Sequence, residues 1–214
     1  VVFAGGGNRC YWQGGFWEAV TERFPLAPSM VVAASAGAFA ASYSLLGLGP
    51  RVRESVIGAC GPHLRNFDFE AWRRGEPLCP VGPMYRDLIE TVIDAGAYEK
   101  LRSLTDLRVA VTRLPKGLPP VAGAAIGIAA YQIEKHTLHP VHPRFGRMLG
   151  YTQDFIGIRD LDSPEAFHDL LIATACVPPF MPVTRIGDAP AFDGGLVDNV
   201  PVAPIEEIER GGGK

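Results

Sequence analysis

The chain has 214 residues, 47% hydrophobic and 20% charged, a length and balance that fit one globular domain with a substantial core. Its net charge of −3, with 20 Lys and Arg interspersed among 23 Asp and Glu, gives no basic stripe and no general attraction for nucleic acid. The four cysteines (Cys10, Cys60, Cys79 and Cys176) are widely spaced without a CxxC pair, which argues against a zinc knuckle or disulfide scaffold and for free buried thiols.

Val1 to Ala4 reads as a strand already under way, and the sequence closes on Gly211-Gly212-Gly213-Lys214. Both ends are therefore read as cropped, and no leader segment is assigned. Gly5-Gly6-Gly7 breaks the strand, and a helix is predicted over Cys10 to Arg23, with Trp12, Phe16, Ala19 and Val20 on its apolar face. Met30 to Ala34 is a second strand, Ser35 stands at its end, and Ala36 to Leu46 is a helix. The 21 residues from Ser29 to Gly49 carry no charge, enough to span a bilayer, but small residues around Ser35 favour a buried strand turning into a buried helix.

Arg51 to Pro83 is rich in Gly, Pro and Arg and reads as irregular. Tyr85 to Leu101 reads as one helix on the spacing of Leu88, Ile89, Val92 and Ile93, and Leu107 to Thr112 as a buried strand. Residues 115 to 150 hold an Ala-rich helix and then His136, His139 and His142. Ser163-Pro164-Glu165 opens a helix that ends near Ala175, and Ala191-Phe192 forms a short strand leading into Asp193-Gly194-Gly195. Alternating strands and helices without repeat or linker predict a single α/β domain with a mainly parallel central sheet.

Three motifs carry chemistry. Gly5-Gly6-Gly7-Asn8-Arg9, between a strand and a helix, leaves backbone N–H groups free to meet an anion, either a phosphate or the oxyanion of an acyl transfer. A plain tight turn fits it too, and neither a dinucleotide fingerprint nor a P-loop is completed. Ala33-Ala34-Ser35-Ala36-Gly37 is similar to a nucleophile elbow, with Ala33 in place of the first glycine; a helix N-cap at Ser35 is the plainer alternative. Asp193-Gly194-Gly195 is by itself an ordinary turn.

A serine nucleophile needs a base. The last histidine, His168, precedes Asp193, so the order Ser, Asp, His of an α/β-hydrolase triad is missing. Asp154 with His168 stays open as a pair, but a carboxylate acting directly on Ser35 is the simpler proposal. The histidines at 136, 139 and 142 are interrupted by Pro140 and Pro143, which spoils helical convergence on a metal and suggests a solvated or lid-like segment. Phe67, Phe69 and Trp72-Arg73-Arg74 fit either contact with a lipid surface or an ordinary loop.

The three motifs together, with Leu196-Val197-Asp198-Asn199-Val200-Pro201 and Ala173 to Val183, resemble the patatin-like phospholipase family. The resemblance is good at both ends and holds only in outline over residues 50 to 105 and 115 to 160. It implies a three-layer α/β/α sandwich and a lipid acyl hydrolase of the phospholipase A or lysophospholipase type. It further implies Ser35 as nucleophile, Asp193 as base, and Gly5, Gly6 and Gly7 as the oxyanion loop. Arg9, Gly37 and Gly194 take supporting positions, Asp198 is a back-up base, and no cofactor or metal is called for. The implied partner is a phospholipid or other acyl lipid at a membrane or micelle surface, met by a cytoplasmic or peripheral protein. Acyl transfer to an alcohol with the same residues, or a non-catalytic phosphate- or nucleotide-binding module, are the alternatives.

Overall fold

The computed structural model describes residues 1–59, 67–76, 78–178 and 180–211. Among these, the strands are β1 (Val2–Phe3), β2 (Met30–Ala34), β3 (Asp106–Arg113), β4 (Thr152–Gly157), β5 (Thr184–Ile186) and β6 (Ala189–Asp193). The helices are α1 (Tyr11–Thr21), α2 (Ala36–Leu45), α3 (Gly49–Ala59), α4 (Phe69–Arg73), α5 (Val81–Val92), α6 (Ala95–Leu104), α7 (Pro120–Leu138), α8 (Phe145–Met148), α9 (Pro164–Thr174) and α10 (Ala203–Arg210). The six strands form one mixed sheet in which β1, β2 and β3 run parallel, while β4 and β6 lie antiparallel to β3. Helices flank the sheet as a three-layer α/β/α sandwich.

The uncharged stretch is the centre of this sandwich. Val31, Val32, Ala33 and Ala34 are fully buried, as a parallel strand covered on both faces must be. Every residue of α2 from Gly37 to Ser44 is buried, so this helix needs no polar face. No helix among the described residues is long and apolar enough to cross a membrane.

Several elements differ from the sequence-based expectation. The face of α1 carrying Trp12, Phe16 and Ala19 points outward, with Trp12 65% and Phe16 61% exposed; the buried residues are Gly14 and Trp17. Gly14 lets Tyr43 of α2 approach, and Trp17 packs against Phe3 in a tilted ring pair at 5.7 Å between centroids. That contact outweighs the wider apolar stripe. The segment read as irregular contains α3 and α4; Gly49-Pro50 opens α3, where proline is compatible with the first turn. The helix expected over Tyr85 to Leu101 is split at Ile93, because Asp94 accepts the Ala97 N–H at 2.8 Å and starts α6. Strands β4 and β5 add to the strands that the sequence predicts. Cys10, Cys79 and Cys176 are free and buried; Cys60 lies outside the described residues.

The sheet register brings the two ends of the chain together. Ala34, the last residue of β2, pairs with Ala110, and Asp193, the last residue of β6, pairs with the next β3 residue, Val111. Strand β4 occupies the opposite edge of β3 along its length, since Ala110 also pairs with Phe155 and Val111 with Asp154. Strands β2 and β6 therefore share one edge of β3, end to end. Where β2 leaves that edge to enter α2, β6 takes it over.

Candidate active site

The handover puts Ser35 and Asp193 side by side. Ser35 Oγ donates to Asp193 Oδ2 at 2.6 Å. Ser35 is the N-cap residue of α2 but makes no side-chain cap bond, so its hydroxyl serves Asp193 and not its own helix. Its backbone is at φ 55 and ψ −144, a left-handed conformation that costs a residue with a Cβ about 1–3 kcal/mol. The surroundings hold it there. The Ser35 N–H donates to Thr174 Oγ1 at 2.8 Å, and Thr174 Oγ1 donates to the Ala110 carbonyl at 2.5 Å. Gly37 sets the start of α2 against the end of β1, where a Cβ would stand 2.7 Å from the Phe3 carbonyl oxygen.

Asp193 is fixed on all sides. Its N–H donates to the Cys176 carbonyl at 3.0 Å, and its carbonyl accepts from Thr112 Oγ1 at 2.8 Å. Its Oδ1 accepts the Gly195 N–H at 2.7 Å, which leaves Oδ2 to Ser35. Solvent reaches part of the residue from the cleft, but protein encloses the carboxyl. Burial pushes that carboxyl up from 3.8 to about 6, while the bonds from Ser35 and Gly195 pull it back. Such a carboxylate is ionised at neutral pH yet basic enough to accept a proton. Gly194 packs against β3 so closely that a Cβ would collide with the Ala110 carbonyl.

The glycine loop stands beside this pair. Gly5 belongs to its anchor and not to its free donors, which corrects the expectation for that residue: its N–H donates to the Asn199 carbonyl at 3.0 Å, and its carbonyl accepts from Asn199 Nδ2 at 2.6 Å. Gly6 and Gly7 face the cleft, and among the described residues neither N–H has a protein acceptor; the same holds for Ala36, the first residue of α2. Gln13 clamps the preceding residue, accepting from Ala4 N–H at 3.0 Å and donating to Ala4 O at 2.8 Å. Arg9 Nε donates to the Gly6 carbonyl at 3.3 Å, so the arginine braces the loop from the solvent side.

Gln153 completes the frame. Its Nε2 donates to the Gly194 and Asp198 carbonyls at 2.8 and 2.9 Å, tying β4 to the turn after Asp193. A cleft of about 490 Å³ opens over Ser35, Asp193, Gly6 and Gly7, with Ile128, Tyr131 and Lys135 of α7 along one wall.

The other candidates do not converge here. Asp198 lies 2.8 Å from His142 Nδ1 through Oδ2 and accepts the Val200 N–H at 3.0 Å through Oδ1, so it has no bond to Ser35. Asp154 pairs with Arg113 at 2.8 Å, and His168 bonds the Ile93 carbonyl at 2.6 Å, so these two do not form a catalytic pair. Among the described residues no three His, Cys, Asp or Glu side chains gather as a metal set; His136 borders the cleft, while His139 ends α7. Phe67, Phe69 and Trp72 are exposed on and beside α4, and Phe67 packs against Phe180 in a tilted ring pair at 5.0 Å.

Thr174, Asn199, Gln13 and Gln153 escaped the reading of the sequence as site residues. Thr174 and Asn199 sit inside segments that carry the resemblance, which was the available signal. Gln13 and Gln153 had none, because each acts through backbone groups distant in sequence.

A search among curated proteins finds no match to the chain. A family model described as patatin-like phospholipase matches residues 1–205 of the 214. That match spans both strands that carry the Ser35–Asp193 pair, the glycine loop and the turn that anchors it, and the chain belongs to the patatin-like phospholipase family.

Proposed function

We propose that this member of a lipid ester hydrolase family cleaves acyl esters of phospholipids or lysophospholipids through a two-residue dyad, Ser35 and Asp193. The observation that carries the reading is the 2.6 Å bond from a strained, positive-φ serine to a carboxyl whose affinity for protons is raised by burial. Asp193 Oδ2 takes the Ser35 hydroxyl proton as Oγ bonds to the ester carbonyl carbon. The carbonyl electron pair moves onto oxygen, which the N–H groups of Gly6, Gly7 and Ala36 receive at the positive end of α2.

Collapse of the intermediate breaks the ester C–O bond, and the leaving alkoxide takes the proton from Asp193. Water then attacks the acyl-Ser35 ester, giving its proton to Asp193, which returns it to Ser35 Oγ as the fatty acid leaves. Asp193 thus shuttles one proton in each half-reaction, with no histidine between the two side chains. The test is fatty-acid release from a panel of phospholipids and lysophospholipids by the wild type and Ser35→Ala. Release by the wild type alone is expected; equal release by both proteins would contradict the assignment. Transfer of the acyl group to an added alcohol would appear in the same product analysis as a new ester.

A further inference from the structure

The connection between β3 and β4, residues 114–151, differs in character from the rest of the chain. It contains Lys116, Lys135, Arg144 and Arg147, and three of the five histidines. Its sole acid is Glu134, which is 3% exposed and accepts the backbone N–H groups of Arg144 and Phe145 at 2.7–2.8 Å. That carboxylate is enclosed in the fold and neutralises little at the surface. A chain of net charge −3 therefore carries a segment whose own exposed charges are all cationic, with Arg147 3.9 Å from the buried carboxylate of Asp198.

The same segment exposes apolar side chains. The inner face of α7 is made of Gly123, Ala124, Gly127, Ala130 and Glu134. Its outer stripe is Ala122, Ile126, Ala129 and Ile133, spaced as one face of a helix and free of charge; Ile126 is 45% and Ile133 57% exposed. Val141 and Met148 continue the apolar surface past the helix end at 70% and 80% exposure. A helix in contact with water normally turns charged residues outward, so an uncharged outer stripe marks a surface that something covers.

The flank of α7 between these two faces lines the cleft with Ile128, Tyr131, Gln132, Lys135 and His136. The apolar stripe is thus continuous with the mouth of the cleft above Ser35. We infer that the α7–α8 face, the stripe Ala122, Ile126, Ala129 and Ile133 with Met148 and the surrounding cations Lys116, Arg144 and Arg147, seats the protein on an anionic lipid bilayer with the cleft turned to it. Charge and continuity select this occupant. A cation-only rim around an apolar stripe complements acidic headgroups over acyl chains, whereas a second copy would bring like charges together. Seating by this face gives an acyl chain a route into the cleft along α7 without crossing water. The inference rests on the reading of Ser35 and Asp193 as a lipid acyl hydrolase, and names the surface at which that chemistry is done.

The experiment is flotation of the protein with phosphatidylcholine vesicles, with and without phosphatidylserine, at low and high salt. The Ile126→Ser/Ile133→Ser and Lys116→Gln/Arg144→Gln variants are compared with the wild type, and hydrolysis of a water-soluble p-nitrophenyl ester is measured alongside. Binding is expected to require phosphatidylserine and to weaken with salt. It should fall about fivefold for each charge removed and about tenfold or more for the isoleucine pair. Soluble-ester hydrolysis should stay unchanged in both variants, which also reports that they fold. Vesicle binding equal in wild type and variants, or no preference for phosphatidylserine, would overturn the inference. So would a wild-type dimer in sedimentation that Ile126→Ser/Ile133→Ser dissolves, since the stripe would then be a contact between copies. Failure of the wild type to hydrolyse the soluble ester while still binding vesicles would strike the dyad reading and leave this surface standing.

Discussion

Thr174 Oγ1 accepts the Ser35 N–H at 2.8 Å and passes its own hydrogen to the Ala110 carbonyl, so one buried hydroxyl ties the end of β2 to β3 where the strands part. The serine backbone can occupy its strained conformation because this N–H is satisfied inside the protein. Thr174→Val keeps the shape and removes both bonds. It should cost about 1–3 kcal/mol in urea denaturation, since a buried N–H loses its acceptor. Turnover should fall as the serine relaxes, and Thr174→Ser should restore much of both. An unchanged Thr174→Val rate would show that Ser35 is held by other means.

The acid–base properties of Asp193 predict opposite trends for rate and stability. As a base it must be ionised, so kcat/KM should rise through about pH 6 and level off above it. For stability the folded carboxyl binds its proton more tightly than the unfolded one, since its value is raised from 3.8 to about 6. Its favourable contribution is therefore complete below pH 3.8 and is lost as pH rises through about 6. Asp193→Asn should be inactive yet more stable than wild type at pH 7.5, by on the order of 2 kcal/mol. Thermal melts of both proteins at pH 5 and pH 7.5 measure this, and a variant less stable at pH 7.5 would contradict it.

Asn199 secures the glycine loop from the far end of the sequence, through its carbonyl and its amide to the two backbone groups of Gly5. Asn199→Ala keeps the first of these bonds and removes the second. Loosening the loop should lower kcat by about tenfold or more with KM for a soluble ester little changed, because the donors act on the oxyanion and not on the bound ester. Steady-state kinetics separate the two parameters, and a pure KM effect would speak for a binding role.

Gly194 lies against the Ala110 carbonyl without room for a Cβ. Gly194→Ala should push β6 away from β3, lengthen the Ser35–Asp193 bond and reduce both stability and labelling of Ser35. Restored labelling at low temperature would separate loss of fold from loss of geometry.

The part of this arrangement legible in the sequence is the part made by local chemistry. A charge-free run of small and β-branched residues told of a buried strand and helix around Ser35, and Ser163-Pro164 marked the start of α9, where Ser163 Oγ accepts the Ala166 N–H. What stayed hidden depends on residues distant in sequence. Strand β4 is half exposed and carries Gln153 and Asp154 toward partners on other elements, so its alternation is weak. The outward turn of Trp12 and Phe16 follows from Gly14 and Trp17 fitting α2 and β1 better, a packing preference no helical wheel contains. The engagement of Gly5 by Asn199 joins residues 194 positions apart. Glycine content alone could not divide the loop into an anchor and two free donors.

The central claim is that Ser35 is a nucleophile activated by Asp193 alone. Intact-protein mass spectrometry after exposure to a fluorophosphonate tests it most directly, with peptide mapping of the adduct in the wild type, Ser35→Ala and Asp193→Asn. One adduct on Ser35 in the wild type, none in Ser35→Ala and labelling slowed by several orders of magnitude in Asp193→Asn is the expected result. An adduct on another residue, or Asp193→Asn labelling at the wild-type rate, would contradict it.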